Sequence, residues 1–452
     1  MSLYVPTTDL EGRGVQIRLD PAEDLLVPRA ITITSLSGSA VTAAGNGHLL
    51  RVAGEVSGTT FGIELGTDAQ SSGNRLEVFA EGNVLGSFMA VMLRGSADLA
   101  NRGEIMGSAY GIGLRSGAAD HVFLENHYRI GGGDIGIVRH GARDSARVDF
   151  YNAGFLWGGT AAYDGLDTAR GVDAVVNRGL ITGHVLLGGG ADTLDNRGGW
   201  IDGWARGEGG SDTFMPGAQA ERFDGGSGFD WLDFSDGAAV VVSLLRGGLA
   251  SGDAAGDVYR NFEGIRGSGQ DDQLTGNARA NQLEGGDGAD TLLGGNGNDR
   301  LTGGAGADSL LGGNGSDRLL GGADADRLLG GNGRDWLEGG AGADTLIGGN
   351  APDRFVFRDL ADAGDVIVDF GRGPDRVMVS QAIAGLPAGA LAAAAFSSGT
   401  TGLAQDASDR FVFRSTDATL WFDADGTGAA AAVLLATFAP GTQLTAQDIL
   451  IF

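Results

Sequence analysis

Residues 285–350 read GGDGADTLLGGNGNDRLTGGAGADSLLGGNGSDRLLGGADADRLLGGNGRDWLEGGAGADTLIGGN, and the same nine-residue phrase closes with APDRFV at 351–356. Two worn copies, GSGQDDQLT and GNARANQLE, precede it, so the period extends from Gly267 to Val356. Within the phrase GGxGxDxUx the sixth place is aspartate at Asp272, Asp290, Asp299, Asp308, Asp317, Asp326, Asp335, Asp344 and Asp353, and asparagine at Asn281. The eighth place is always large and apolar. The third place alternates between alanine (Ala305, Ala323, Ala341) and asparagine (Asn296, Asn314, Asn332, Asn350), so the full repeat is eighteen residues, two halves per coil. Self-similarity at a fixed short period is the mark of a solenoid. Each half reads as a glycine turn followed by a short strand whose side chains alternate between inside and outside. The expected product is a two-faced parallel roll with Leu292, Leu301, Leu310, Leu319, Leu328, Leu337 and Leu346 as its narrow core. Arg300, Arg318 and Arg354 share the seventh place and should form an outward ladder over neighbouring acids.

Coils of such a solenoid stack about 4.8 Å apart. Sixth-place carboxylates one coil apart therefore form close pairs: Asp290 with Asp308, Asp299 with Asp317, Asp308 with Asp326, Asp317 with Asp335, Asp326 with Asp344, and Asp335 with Asp353. Stacked anions repel unless a cation lies between them. Carboxylates and glycine-loop carbonyls, with no histidine or thiolate in the units, are hard oxygen donors that select calcium over zinc or copper. Asp272 and Asn281 would supply two weaker sites. Asp324 stands in the fourth place, where a left-handed glycine is expected, and aspartate tolerates that conformation better than most residues. Ala351 and Pro352 break the last unit.

These units resemble the repeats-in-toxin (RTX) family of calcium-binding nonapeptide repeats. The resemblance implies a calcium-bound β-roll, the aspartates above as ligands, a chain unfolded in calcium-poor cytoplasm, and export by type I secretion machinery. Downstream, DRFVF (353–357), GDVIVDFGRGPDRVMVS (364–380), DRFVFRSTDATLWFDADGTGAAAAVLLATF (409–438) and LTAQDILIF (444–452) read as short strands separated by turns. Their order resembles the carboxy-terminal domain of serralysin-type metalloproteases. The strands should form an antiparallel cap, and the resemblance implies an uncleaved export signal in the last nine residues (444–452), with Asp448 ahead of the apolar Ile449 to Phe452, whose removal should block export; an edge strand is the alternative. DADGTG at 423–428 reads as a hairpin turn, because Gly426 would put Trp421 at the first ligand place of a helix-loop calcium site.

Upstream, a looser repeat, VAGEVSG, AEGNVLG, NRGEIMG, NHYRIGG, NAGFLWG, NRGLITG and NRGGWIDG, begins at 52, 80, 101, 126, 152, 177 and 196. Variable spacing with a glycine-flanked strand in each copy fits coils of a right-handed parallel β-helix, with a β-sandwich as the alternative. Asn101, Asn126, Asn152, Asn177 and Asn196 would stack as a ladder. GGGADTLDN (188–196), GEGGSDTF (207–214) and GGSGFDWLD (225–233) resemble degenerate calcium units, which adds Asp230 to the metal ligands and makes Asp192 and Asp212 further candidates.

The fold class expected is all-β: a right-handed parallel β-helix, a calcium-bound parallel β-roll and a short antiparallel β cap. Its divisions are a strand-rich N-terminal cap (1–48), the β-helix (49–215), a degenerate-repeat bridge (216–266), the roll (267–356) and the serralysin-like cap with secretion signal (357–452).

Composition narrows the chemistry. The 452 residues hold no cysteine, 84 glycines and 58 acidic against 31 basic side chains, a formal charge of -27. Disulfides and thiolate metal sites are excluded, and nucleic acid is a poor partner for so acidic a chain. Calcium is the expected cofactor. No apolar stretch approaches the ~20 residues of a membrane-spanning helix, and MSLYVPTTDLEGRG lacks the features of a classical signal peptide. There is no HExxH and no GxSxG, which argues against a metalloprotease or a serine hydrolase. Lysine is absent too, unlike the acylated lysines of pore-forming relatives of the RTX family.

Parallel β-helices also carry polysaccharide lyases and uronate epimerases, an analogy of fold alone. The candidates for such an enzyme are His127, Tyr128, Arg129, Asp134, Arg139, His140, Arg143 and Tyr151, with Trp157, Trp200 and Trp204 as sugar-stacking rings. The leading expectation is a secreted calcium-binding solenoid with a structural, adhesive or surface-matrix role. Its candidate partners are the secretion machinery, a cell-surface polysaccharide, or further copies of the chain by self-assembly. The carbohydrate-active enzyme is the alternative.

Overall fold

A strand of three to six residues cannot bury a face alone, so each must find the equivalent strand of the next coil. The computed structural model describes residues 2–21, 23–66, 71–115, 120–140, 146–165, 171–245, 251–428 and 430–452, and almost every element is a β-strand. Two compact units emerge, one of Met1–Asp233 with Ala254–Phe262 and one of Phe234–Asp253 with Glu263–Phe452. Among the described residues no helix is long and apolar enough to cross a membrane.

The first unit is a parallel β-helix with three strand columns per coil. Its inward places stack in register: Leu25 on Leu50, Leu76, Leu99, Leu124, Phe150, Val175, Leu194, Phe214 and Leu232. A second inward column runs Ile33, Val56, Val84, Ile105, Ile130, Leu156, Ile181 and Ile201. All of these side chains are buried, each contributing about 1.5–3 kcal/mol of apolar transfer. Parallel pairing begins at Ser2–Tyr4, which lies against Glu23–Leu25. Leu25, Ile33 and Val41, in the segment read from the sequence as an N-terminal cap, pair in parallel with Leu50, Val56 and Ile63 of the strands that follow.

The expected asparagine ladder is present and internal. Asn101 donates through Nδ2 to Asn126 Oδ1 (2.9 Å), Asn126 to Asn152 (2.8 Å), Asn152 to Asn177 (2.7 Å) and Asn177 to Asn196 (2.6 Å). Asn196 passes the chain of amides to Glu221. All five asparagines have zero exposure, so the ladder satisfies groups that would otherwise be costly to bury.

The second unit contains the roll. One face stacks the parallel strands Gln282–Asp287, Arg300–Ala305, Arg318–Ala323, Trp336–Ala341 and Arg354–Phe357, and the other Gln273–Thr275, Thr291–Asn296, Ser309–Asn314, Arg327–Asn332 and Thr345–Asn350. The seven expected leucines are its core, none more than 1% exposed. The segment read as a bridge (216–266) is divided. Arg222–Asp224 pairs with Val258–Arg260 in the first unit, and Val241–Ser243 pairs with Gln273–Thr275 in the second.

After the roll, both faces continue. Arg376–Val379 extends one and Asp365–Ile367 the other, in parallel. Phe411–Arg414, Thr419–Phe422 and Val433–Phe438 then form the antiparallel part of the cap. The hairpin expected at DADGTG joins Thr419–Phe422 to Val433–Phe438. Ile449–Ile451 is itself a strand, parallel to Val377–Val379, with Ile449 and Ile451 buried.

Candidate calcium sites

The nine-residue turn presents each sixth-place carboxylate to the coil before it. Along one edge the backbone N–H of Asp272 donates to Asp290 Oδ1, Asp290 to Asp308, Asp308 to Asp326 and Asp326 to Asp344, all at 2.8 Å. Along the other, Asn281 donates to Asp299, Asp299 to Asp317 and Asp317 to Asp335 at 2.8 Å, and Asp335 to Asp353 at 2.9 Å. These aspartates are buried. One oxygen of each is thereby held.

The other oxygen is not. Oδ2 of Asp290, Asp299, Asp308, Asp317, Asp326, Asp335 and Asp344 is buried without any protein donor. Such an atom costs about 1–3 kcal/mol or more if left alone, and a series of them implies a ligand that is not a protein group. Burial, reinforced by the stacked carboxylates on either side, lifts Asp290 and Asp326 to about 7. Burial likewise brings Asp299, Asp308 and Asp335 to about 6 and Asp353 to about 7.

The turns also leave a recurrent cradle. A methyl group added at Gly285, Gly294, Gly303 or Gly312 would strike Oδ2 of its own unit's aspartate and stand 2.7 Å from the carbonyl of the first glycine one coil on. The cradle is lined by carboxylate and carbonyl oxygen, the donor set calcium takes. Among the described residues no three acidic or histidine side chains converge on one point, so each site is built from paired carboxylates plus backbone. In the eight units from Gly285 on, the fourth place is left-handed even where it is not glycine: φ is 75° at Asp324 and 86° at Ala351. The turn conformation thus survives both departures from the consensus.

The two worn units behave differently. Asp272 Oδ2 accepts the N–H of Ser268 at 2.5 Å and its hydroxyl at 3.1 Å. Asn281 accepts from Asn277 N–H at 2.8 Å and donates to Glu263 O at 3.2 Å. Protein donors occupy these atoms. Asp230 lies in the first unit, where its Oδ1 accepts the N–H of Asp212 at 2.8 Å.

The structure adds two carboxylates that the nine-residue count passes over. Asp365 accepts from Asp344 N–H at 3.1 Å and Asp375 from Asp353 N–H at 2.9 Å, 21 and 22 residues on. Asp365 Oδ2 is buried and without a donor, and burial beside Asp344 raises the Asp365 carboxyl to about 9. The GRGPD at 371–375 was the available signal for Asp375, with Gly371 left-handed at φ 93°.

The arginine ladder faces outward as expected but is interrupted by an indole: Arg300, Arg318, Trp336 and Arg354 align one per coil. Arg318 lies over the Trp336 ring at 5.1 Å and 3.5 Å from Glu338.

The candidate catalytic residues are not brought together. His127 packs near Tyr151 and Glu125, while Arg129 pairs with Glu104 and lies over Trp157. Arg139 is 1% exposed and paired with Asp173 at 2.5 Å, which closes it to any substrate. His140 stands edge-on to Tyr110 in a separate hollow with Arg94 and Arg115. Tyr128 is exposed, Asp134 serves the backbone turns through its carbonyl, and Arg143 lies outside the described residues. Trp157 stacks on Phe155 and Trp204 carries Arg260, so solenoid packing uses both rings; Trp200 is exposed.

Residues 266–301, 293–328 and 320–355 match the family model described as RTX calcium-binding nonapeptide repeat (4 copies). A search of curated proteins finds no match. The matched span coincides with the two aspartate edges, and over residues 266–355 this chain is similar to the RTX calcium-binding nonapeptide repeat, within a β-solenoid.

Proposed function

We propose that the protein is a secreted RTX-type solenoid, exported by a type I system, that folds on extracellular calcium and serves a structural, adhesive or surface-matrix role. The observation that supports this reading is the double edge of buried aspartates, of which the seven from Asp290 to Asp344 have one oxygen held by the neighbouring coil and the other without a protein donor. In calcium-poor cytoplasm these carboxylates have no counter-ion, which favours the extended chain that a secretion channel passes. Millimolar calcium outside couples binding to folding. The strands after residue 357 continue both faces of the roll and serve as the template on which it closes.

A groove of about 360 Å³ favours the adhesive form of the role. Arg334, Trp336, Arg354 and Arg376 line it together with Asp335 and Asp353, three guanidinium groups against two carboxylates on a strongly acidic protein. Guanidinium groups pair with the carboxylates of an acidic polysaccharide, and the indole offers a face to a sugar ring.

Far-ultraviolet circular dichroism of the full chain, with chelator and then with millimolar calcium, tests the central claim. A gain of β signal on adding calcium is expected; identical spectra would overturn it. Export is tested separately, by asking whether protein reaches the medium only when the host carries a type I system.

A further inference from the structure

In the first unit the parallel strands Phe61–Leu65, Met89–Arg94, Tyr110–Arg115 and Ile135–Arg139 carry on their outer side a hollow of about 320 Å³. Strand alternation sends Ile63, Val91, Ile112 and Ile137 into the core, all with zero exposure. Met92 and Gly113 are paired one place on, on the outer side. A methyl group at Gly113 would stand 2.5 Å from Met89 Sδ and 3.1 Å from Met92 Cε. The missing side chain thus lets two thioethers lie across that strand as a soft apolar floor. Phe61 and Phe88 line the same hollow, and Phe88 is 47% exposed. Phe88 meets Tyr110 edge-on at 5.2 Å, and Tyr110 meets His140 edge-on at 5.9 Å.

Basic groups stand along one side of this floor. Arg94 pairs with Arg115 one coil on, and His140 follows, its N–H on Leu114 O at 2.7 Å. Their charges are not equally matched. Arg94 gives Nε and Nη2 to Glu64 Oε1 at 3.1 and 2.9 Å, so its charge is met. Arg115 is exposed and has no ion pair or side-chain hydrogen bond among the described residues. His140 Nε2 is buried without a partner, which is costly for a polar atom. Burial, and then the charge of Arg115, lowers the His140 pKa, which keeps the ring neutral with one N–H to give.

On a chain of charge -27, a guanidinium left unmatched beside an apolar floor favours a ligand with one negative charge and an apolar body. A carboxylate suits the pair, with one oxygen for Arg115 and the other for His140 Nε2–H. A sugar ring suits it poorly, because thioether and phenyl groups offer nothing to its hydroxyls. The volume is at the small end of ligand sites, which span ~300–1,000 Å³ and are mostly apolar with a few placed polar groups.

We infer that the first unit binds a small amphipathic monocarboxylate, an acyl or aryl acid, with its carboxylate held by Arg115 and His140 Nε2 and its body laid over Met89 and Met92 against Phe88. The site uses no aspartate of the ladder and no residue of the groove in the second unit. It adds a ligand that the calcium-dependent and adhesive reading does not require.

Calorimetric titration of the calcium-loaded full chain with octanoate and with phenylacetate tests this, the tighter of the two naming the body as acyl or aryl. Acetate lacks the body and octanamide lacks the charge, so each is expected to bind at least about tenfold more weakly than octanoate. Arg115→Ala changes an exposed side chain without an internal partner and should weaken octanoate about tenfold or more. His140→Phe keeps a ring against Tyr110 and should weaken it too. No binding by the parent, parent affinity in Arg115→Ala, or acetate held as tightly as octanoate would each overturn the site. Crystals of the parent soaked with a brominated octanoate give an answer that does not depend on the variants folding. A bromine peak over Gly113 is expected, and peaks found only elsewhere would overturn the proposal.

Discussion

At Asp308 one carboxylate oxygen accepts the N–H of Asp290, one coil back, while the other has no protein partner. Because Asp308 stands between Asp290 and Asp326, Asp308→Asn should remove a charge from two sites at once. An ion held at a hundred times its Kd stabilises by ~2.7 kcal/mol, so the loss at saturating calcium should approach about 5 kcal/mol. Calorimetric titration and thermal melts check it, and a variant with the parent's ion count would contradict the assignment. The same residues make the calcium-free protein sensitive to pH. Burial raises Asp290, Asp326 and Asp353 to about 7 and Asp299, Asp308 and Asp335 to about 6, against about 3.9 in an unfolded chain. The folded state holds protons more tightly, so stability present below about pH 4 is lost as pH rises through 6 to 7. Chelator-treated protein should therefore gain β-structure on acidification from about pH 8 to 5, and calcium affinity should fall over the same window as protons compete. Loss of structure on acidification, seen by circular dichroism, would refute this.

At the scale of the element, a roll half-coil offers one fully buried leucine per nine residues, a thin core. Leu319 lies between Leu301 and Leu337 with no exposure. Leu319→Ala should cost about 2–5 kcal/mol, measured by urea unfolding in calcium; a change under ~1 kcal/mol would mean that calcium alone carries the roll. The first unit relies on polar continuity instead. Asn152→Ala deprives Asn126 Nδ2 of one of its two acceptors and Asn177 Oδ1 of one of its two donors. The expected cost is ~1–3 kcal/mol, since two hydrogen bonds of ~0.5–1.5 kcal/mol each are lost. Thermal unfolding at fixed calcium reads it. The carboxy-terminal strand belongs at this scale too. Ile449 and Ile451 are core residues paired to Val377–Val379, so deleting Ile449 to Phe452 removes a strand as well as any export signal. Export assays on that deletion need a folding control.

For the whole molecule, the proposed function makes calcium a thermodynamic part of the fold, held by the two aspartate edges of a chain with a charge of -27. Each tenfold rise in free calcium should add about 1.4 kcal/mol of stability for every ion released on unfolding. Unfolding temperatures measured across calcium concentrations therefore count the ions. A slope near zero would mean that the ladder carries no metal in solution.

The roll was legible because its instructions are local and repeated. A glycine pair makes the turn, the sixth place faces the next coil, the eighth faces inward, and an exact period of eighteen aligns like with like. Where coil length varies, spacing no longer tells which residues meet. Asp365 and Asp375 join the ladder from 21 and 22 residues away, and Arg139 finds Asp173 across 34. Among the described candidate catalytic side chains, His127 meets Tyr151, Arg139 enters the core and His140 joins Arg94 and Arg115 in a separate hollow. Only the tertiary structure decided these, because register between unequal coils is set by hydrogen bonds and core contacts across the whole intervening loop. The sequence by itself determined the repeat, the donor set it offers to calcium and the solenoid; inter-coil register decided which residues beyond the repeats meet.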